Sequence, residues 1–235
     1  MRASYREFCP IAKASEIFAN RWTPLVMREL TAGSRSFNDI RRGIPLISRA
    51  VLVARLRDLE RDGIIERKPR TGGSGHEYCL TPAGDAFRPV IHALALWGSM
   101  HTRDRITKSD LHPGLLMWRL RRHVDLPALP NRRLVLRFEF SGVPTTRTKF
   151  RIMWLILERR GVDICAKDPG FEVDLTLRGP VADFIALHLG HARWRDFAGK
   201  SLFIEGDSRL AKQVPTWLRL DKVVSEDHPV IRPLA

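Results

Sequence analysis

Six arginines fall between Arg35 and Arg57 (Arg35, Arg41, Arg42, Arg49, Arg55 and Arg57), and before Asp58 this stretch holds one acid, Asp39. Guanidinium groups at such density suit the holding of a polyanion through phosphate oxygens and base edges. A solvated charged face has the same composition, so the surrounding elements must decide between the two. Two other places carry reactive residue types. His188-Leu189-Gly190-His191, with Asp183 one turn earlier, offers metal-ligand types, but a zinc site wants three or four ligands with fixed outer partners. Gly190 is placed to end the helix between the histidines, so no metal is expected. Gly72-Gly73-Ser74-Gly75 is glycine-rich but sits at a hairpin tip, where no helix dipole can lie beneath a phosphate. No Gly-x-Ser-x-Gly elbow, complete phosphate-loop pattern or Gly-x-Gly-x-x-Gly fingerprint occurs. An enzyme is therefore not expected, and no cofactor is implied.

The composition points the same way. The 235 residues hold 40 Lys plus Arg against 26 Asp plus Glu, a formal charge of +14, which makes nucleic acid the first partner to consider. Cutting after Arg105 leaves 18 basic and 11 acidic residues before, 22 and 15 after. Local density, not gross asymmetry, therefore marks the site. At 44% hydrophobic and 28% charged, a soluble globular chain is expected. No apolar run approaches the roughly 20 residues that span a bilayer, and Met1 to Pro10 has no secretory h-region. Cys9, Cys79 and Cys165 are odd in number and far apart, not a disulfide framework. A cytoplasmic, reducing location without membrane contact is expected.

The elements that position the arginines read as helices joined by short turns. Trp22, Leu25, Val26 and Leu30 have helical spacing, and Gly33 stops that helix. Ser36 is an N-cap for a short helix carrying Phe37 and Ile40, with Arg41 and Arg42 near its end. Ser48 caps a longer helix running to Gly63 whose inward stripe is Leu52, Leu56 and Leu59. Ala50, Val51, Ala54 and Arg57 then face away, with Ser48 and Arg49 in the exposed first turn. Ile64 to Lys68 and His76 to Leu80 read as a hairpin. Thr81-Pro82 opens a long helix to about Met100. Polar Thr102 to Pro113 separates a first domain, residues 1–105, from a second, 111–235.

In that order the residues resemble a known family. Cys9-Pro10, Arg21-Trp22, Phe37-Asn38-Asp39-Ile40, Ile47-Ser48, Leu56-Arg57-Asp58-Leu59-Glu60, Asp62-Gly63-Ile64-Ile65, Tyr78, Leu80-Thr81-Pro82-Ala83-Gly84 and Trp97-Gly98 look like the HxlR-type winged helix-turn-helix transcriptional regulators. The resemblance implies a homodimer paired through the N-terminal segment and the helix after the wing, on a pseudo-palindromic double-stranded DNA operator. It implies that Ser48, Arg49 and Ala50 open the recognition helix. Ser36, Asn38, Arg41 and Arg42 support it, Arg57 lies further along, and Arg67, Lys68 and Arg70 belong to the wing. Val51, Val53 and Ala54 make the groove side less polar than usual, so van der Waals contacts to thymine methyls are expected. Cys9 stands where some members sense oxidants; the alternative is a small residue packed at the dimer seam.

The second half reads as α+β. Leu134, Leu136, Phe138 and Phe140 alternate in a strand, and Phe150 to Leu157, Val162 to Lys167, Glu172 to Arg178 and Ser201 to Glu205 read as further strands. Pro180 to Leu189 reads as a helix, and helices folded over a sheet follow. Trp118-Arg119-Leu120-Arg121-Arg122, Asp168-Pro169-Gly170-Phe171, Leu189-Gly190 and Pro215-Thr216-Trp217-Leu218 resemble the sterol carrier protein type 2-like domain. That resemblance implies a cavity for a hydrophobic small-molecule effector, with Phe138, Phe140, Trp154, Ile156, Phe184 and Leu187 as lining residues; the alternative is solid core. A lipid-binding carrier that uses the winged helix mainly for dimerisation is the competing function.

Overall fold

The structure is a computed structural model that describes residues 4–70 and 75–220. The chain divides between Leu96 and Trp97 into two compact units.

In the first unit α1 spans Pro10–Phe18, α2 Thr23–Thr31, α3 Phe37–Gly43 and α4 Arg49–Arg61. Strands β1 (Ile65–Pro69) and β2 (His76–Leu80) pair antiparallel from Ile65↔Leu80 to Pro69↔His76. The Gly72-Gly73-Ser74 tip lies outside the described residues. Helices α5 (Pro82–Asp85) and α6 (Arg88–His101) follow, and the division falls within α6.

The caps explain the boundaries. Ser36 Oγ accepts the Asp39 N–H at 3.0 Å, and Ser48 Oγ accepts the Val51 N–H at 3.2 Å. Thr81 Oγ1 accepts the Gly84 N–H at 3.2 Å and donates to Gly63 O at 2.7 Å, fastening the hairpin base to α5. Such a cap contributes about 1 kcal/mol. One long helix from Pro82 is not what forms. Pro89 has no N–H for the Asp85 carbonyl and its ring crowds that turn, so the chain breaks around Phe87 and restarts as α6. The core is Val26, Met27, Leu30, Ile40, Leu52, Leu56, Leu59, Ile64, Ile65 and Ile91, so the Leu52-Leu56-Leu59 stripe packs as its spacing predicts.

In the second unit α7 spans Pro113–His123, followed by β3 (Leu134–Ser141), β4 (Ile152–Glu158), β5 (Gly161–Cys165) and β6 (Leu175–Pro180). Then come α8 (Val181–His188), α9 (Trp194–Phe197), β7 (Phe203–Gly206), α10 (Ser208–Ala211) and α11 (Val214–Trp217). The sheet order is β5-β4-β3-β6-β7; β3 and β6 are parallel and the other neighbours antiparallel. An α+β layering is what forms. Leu134, Leu136, Phe138 and Phe140 share one sheet face with Met153, Leu155 and Leu157, packed with Leu116, Met117 and Leu120 of α7 and Val181, Phe184 and Leu187 of α8.

Two boundaries differ from the sequence expectation. The polar stretch after residue 101 belongs to the second unit, where Arg147 Nη1 donates to Leu111 O at 2.9 Å and Asp110 accepts the Thr107 N–H at 2.8 Å. Its polar side chains cap turns, so they do not mark a linker. Strand β6 begins at Leu175 because Asp174 serves the end of the ladder with its side chain: its carboxylate accepts the Val135 N–H at 2.8 Å and Arg132 Nη1 at 2.7 Å.

Candidate nucleic-acid interface

The helix pair that presents the arginines is clamped from beneath. Glu29 of α2 is 1% exposed, and its carboxylate accepts from Arg28 at 3.0 Å and from Ser34 Oγ at 3.3 Å. Arg28 Nη2 also donates to Gly43 O at 2.7 Å, joining α2 to the end of α3. A Cβ at Gly43 would stand 2.0 Å from the Glu29 carboxylate, so a side chain there would have to push that carboxylate off its partners. Helical spacing and capping signals do not disclose this clamp. The available signal was an acid, Glu29, on the buried stripe of α2. A backbone bond from Tyr78 N to Arg35 O, 2.8 Å, docks the hairpin beside α3.

Above this base, α4 leaves its first turn open. Ser48, Arg49 and Ala50 are all exposed. The cap uses the Ser48 oxygen as acceptor, which leaves its O–H to donate. The Arg49 guanidinium lies 5.3 Å from the Phe37 ring centroid, so a contact from α3 steadies it without neutralising it. Arg57 is exposed two turns further on, with no ion pair among the described residues. On α3, Asn38 and Arg41 are exposed, Ser36 is half-buried as the cap, and Arg42 reaches Asp39 at 3.5 Å. The structure thus brings Ser48, Arg49, Ala50 and Arg57 onto one helix, and Asn38 and Arg41 are exposed on the helix before it.

The remaining arginines of the cluster do different work. Arg55 pairs with Asp58 at 2.9 Å in an open groove lined by Lys13, Glu16 and Ile17 of α1 and by Arg61 and Asp62. Arg35 Nη1 points to Cys79 Sγ at 3.7 Å. The wing is less positive than its cations suggest. Lys68 meets Glu66 at 2.6 Å, and Arg67 and Arg70 stand 3.9 Å from Glu60 and Glu77. The Glu66 hydrogen bond raises the Lys68 pKa.

Cys9 occupies the N-cap position of α1, half-exposed, and its thiol makes no capping bond. Nearby in sequence Phe8 is fully exposed and Ile11 is 77% exposed. On α6, Val90, Leu94, Trp97 and Met100 are also exposed.

The expected lining of a cavity in the second unit needs correction. Phe138, Phe140 and Phe184 pack on one another with ring centroids 5.4–5.8 Å apart, and all three are buried with Leu187 in the core. Trp154 and Ile156 cannot join them. They pair across from Arg137 and Val135, and a strand's alternation turns these residues to the opposite face of the sheet. The six therefore do not line one space.

The histidine cluster does not converge either. His188 stacks edge-on with His123, His191 Nε2 lies 3.1 Å from Ser99 Oγ, and Asp183 accepts from Ser201 Oγ at 2.5 Å. Among the described residues no group of three His, Cys, Asp or Glu could hold a metal. Gly199-Lys200-Ser201 has Trp194 where a phosphate loop has its first glycine. No helix of the described residues is long and apolar enough to cross a membrane.

Residues 17–105 match the family described as HxlR-like helix-turn-helix. Over 110 residues the chain is 34% identical to the uncharacterized HTH-type transcriptional regulator YdeP of Bacillus subtilis, covering 44% of this chain and 81% of that protein. Over 99 residues it is 35% identical to an uncharacterized HTH-type transcriptional regulator of Methanothermobacter thermautotrophicus, covering 40% and 72%. Among solved structures, the reduced form of the transcriptional regulator YodB from B. subtilis is similar at 28% identity and a TM-score of 0.36, over 42% of this chain and 98% of that one. By that family match and its identity to the Bacillus and Methanothermobacter regulators, the chain belongs to the HxlR-like helix-turn-helix family.

Proposed function

We propose that the protein is a DNA-binding transcriptional regulator that sits as a homodimer on a pseudo-palindromic operator. One observation carries the reading: α4 is capped by Ser48 and leaves Ser48, Arg49, Ala50 and Arg57 exposed, with Arg41 exposed on α3 and α3 tied to α2 through the Glu29 clamp. A helix about 20 Å long with a polar first turn fits the major groove, where Arg49 reaches base edges or phosphate and Arg41 and Arg57 hold the backbone. Exposed Phe8, Ile11, Val90, Leu94 and Trp97 support pairing of two copies through the N-terminal segment and α6. Residues beyond 105 fall outside the family match and build their own core, which supports an accessory role for the second unit as effector or partner module. A sterol-carrier-like cavity in it is testable by native mass spectrometry for a co-purified lipid.

The test of the main reading is a gel-shift titration with the DNA upstream of the gene at two salt concentrations. Binding is expected to weaken steeply with salt, and Arg49→Ala is expected to weaken it about tenfold or more. Unchanged affinity in Arg49→Ala, Arg41→Ala and Arg57→Ala alike would overturn the groove assignment.

A further inference from the structure

We infer that α4 selects its operator half-site largely through thymine methyl groups, read by Ala50, Val53 and Ala54. This rests on the DNA-binding reading above and adds the sequence class of the partner. The structure sorts the helix surface. Leu52, Leu56 and Leu59 are core, and Val51, which the sequence placed on the outer side, packs against that core. Arg55 turns to Asp58. Between Arg49 and Arg57 the outward face is left with Ala50 and Ala54, both exposed, and half-exposed Val53. None carries a donor or acceptor on its side chain.

A purely C–H surface in the major groove discriminates in two ways. It gains contact where the facing base pair presents the thymine 5-methyl, the apolar group on the major-groove edges of the four bases. It also offers no partner to the polar groups of any base edge, thymine O4 included, so only the thymine methyl repays the water that is lost. Ala50 and Ala54 are one turn apart, about 6 Å along the axis, so the patch spans about two base-pair steps. Arg49 and Arg57 bracket it and fix its register on the duplex. The half-site therefore carries adjacent thymines beneath the first two turns of α4.

The test uses the full chain. A duplex library with a randomised core is put through repeated selection, and the selected site is resynthesised with deoxyuridine replacing each thymine in turn, which deletes only the methyl. Affinities are compared by fluorescence anisotropy at one salt concentration. At the two central positions each replacement is expected to weaken binding about fourfold, the factor that follows from one buried CH2 equivalent. Val53→Asn is expected to lower that sensitivity and shift the selected base toward adenine, with a circular-dichroism spectrum and melting temperature equal to the parent's as the check that it folds. A selected site whose affinity stays within twofold at every deoxyuridine overturns the methyl reading and leaves the regulator standing. Selection that enriches no sequence overturns both.

Discussion

In the first unit the residues that matter are those the packing leaves outside; in the second, the residues that looked functional are what the packing needs inside. Helix α4 buries Leu52, Leu56 and Leu59 and leaves Arg49, Ala50, Ala54 and Arg57 at the surface. Strand β3 buries Leu134, Leu136, Phe138 and Phe140, and the aromatic rings among them have one another for neighbours. A surface can be read from helical spacing because exposure follows from the apolar stripe. Apolar alternation gives a strand and a buried face but does not distinguish a hollow core from a solid one.

Substitutions can break this contrast, and the largest effect is expected in the second unit. Phe184→Ala should lower its stability by about 3–5 kcal/mol in urea unfolding, since a ring wedged against Phe138 and Phe140 leaves a void. Operator affinity should not change. A loss under 1 kcal/mol would show that Phe184 already borders empty space, and the contrast would fail. Gly43→Ala should destabilise the first unit by about 1–3 kcal/mol, because the new methyl meets the buried Glu29 carboxylate. A melting temperature equal to that of the parent would refute the clamp. Arg57→Ala should weaken operator binding by about 1–3 kcal/mol without changing stability, and a stability loss of that size would place Arg57 in the fold. The smallest effect is Ser48→Ala, expected to remove about 1 kcal/mol of stability through the cap.

Acid should separate the two units as well. Burial, with the Arg119 and His123 charges, pushes the His188 pKa down to about 3, and burial pushes His112 to about 4. Both histidines are therefore favoured neutral when folded, while the unfolded chain takes up protons near 6.5. The second unit should hold its full stability above about pH 6.5 and lose it progressively as pH falls toward 3. His188→Gln should flatten that slope in denaturant titrations; an unchanged slope would remove His188 as its source.

The sequence carried the local signals well. Ser36 and Ser48 cap the helices expected of them, because the oxygen acceptor and the apolar stripe after it are both local; Thr81 caps too, but its helix is the short α5 and not one running to Met100. Pairings that depend on distant partners were not legible. Nothing near Gly43 announces Glu29, and nothing near Val135 announces Asp174. Helix α7 escaped notice because Arg119, Arg121, Arg122 and His123 are interleaved with Leu116, Met117 and Leu120 and obscure the stripe. The wing shows the same limit for charge: residue type makes Arg67, Lys68 and Arg70 three cations, yet each has a carboxylate within 4 Å. Residue type alone groups Trp154 and Ile156 with Phe138, and only the register of β4 against β3 turns them to the other face.

Hydroxyl-radical footprinting of the full chain on its upstream DNA tests the central claim most directly. Two α4 helices in successive major grooves predict two protected half-sites about 10 base pairs apart, and both protections should fade together in Arg49→Ala. A single unbroken footprint, or paired protections that persist in that variant, would contradict the account.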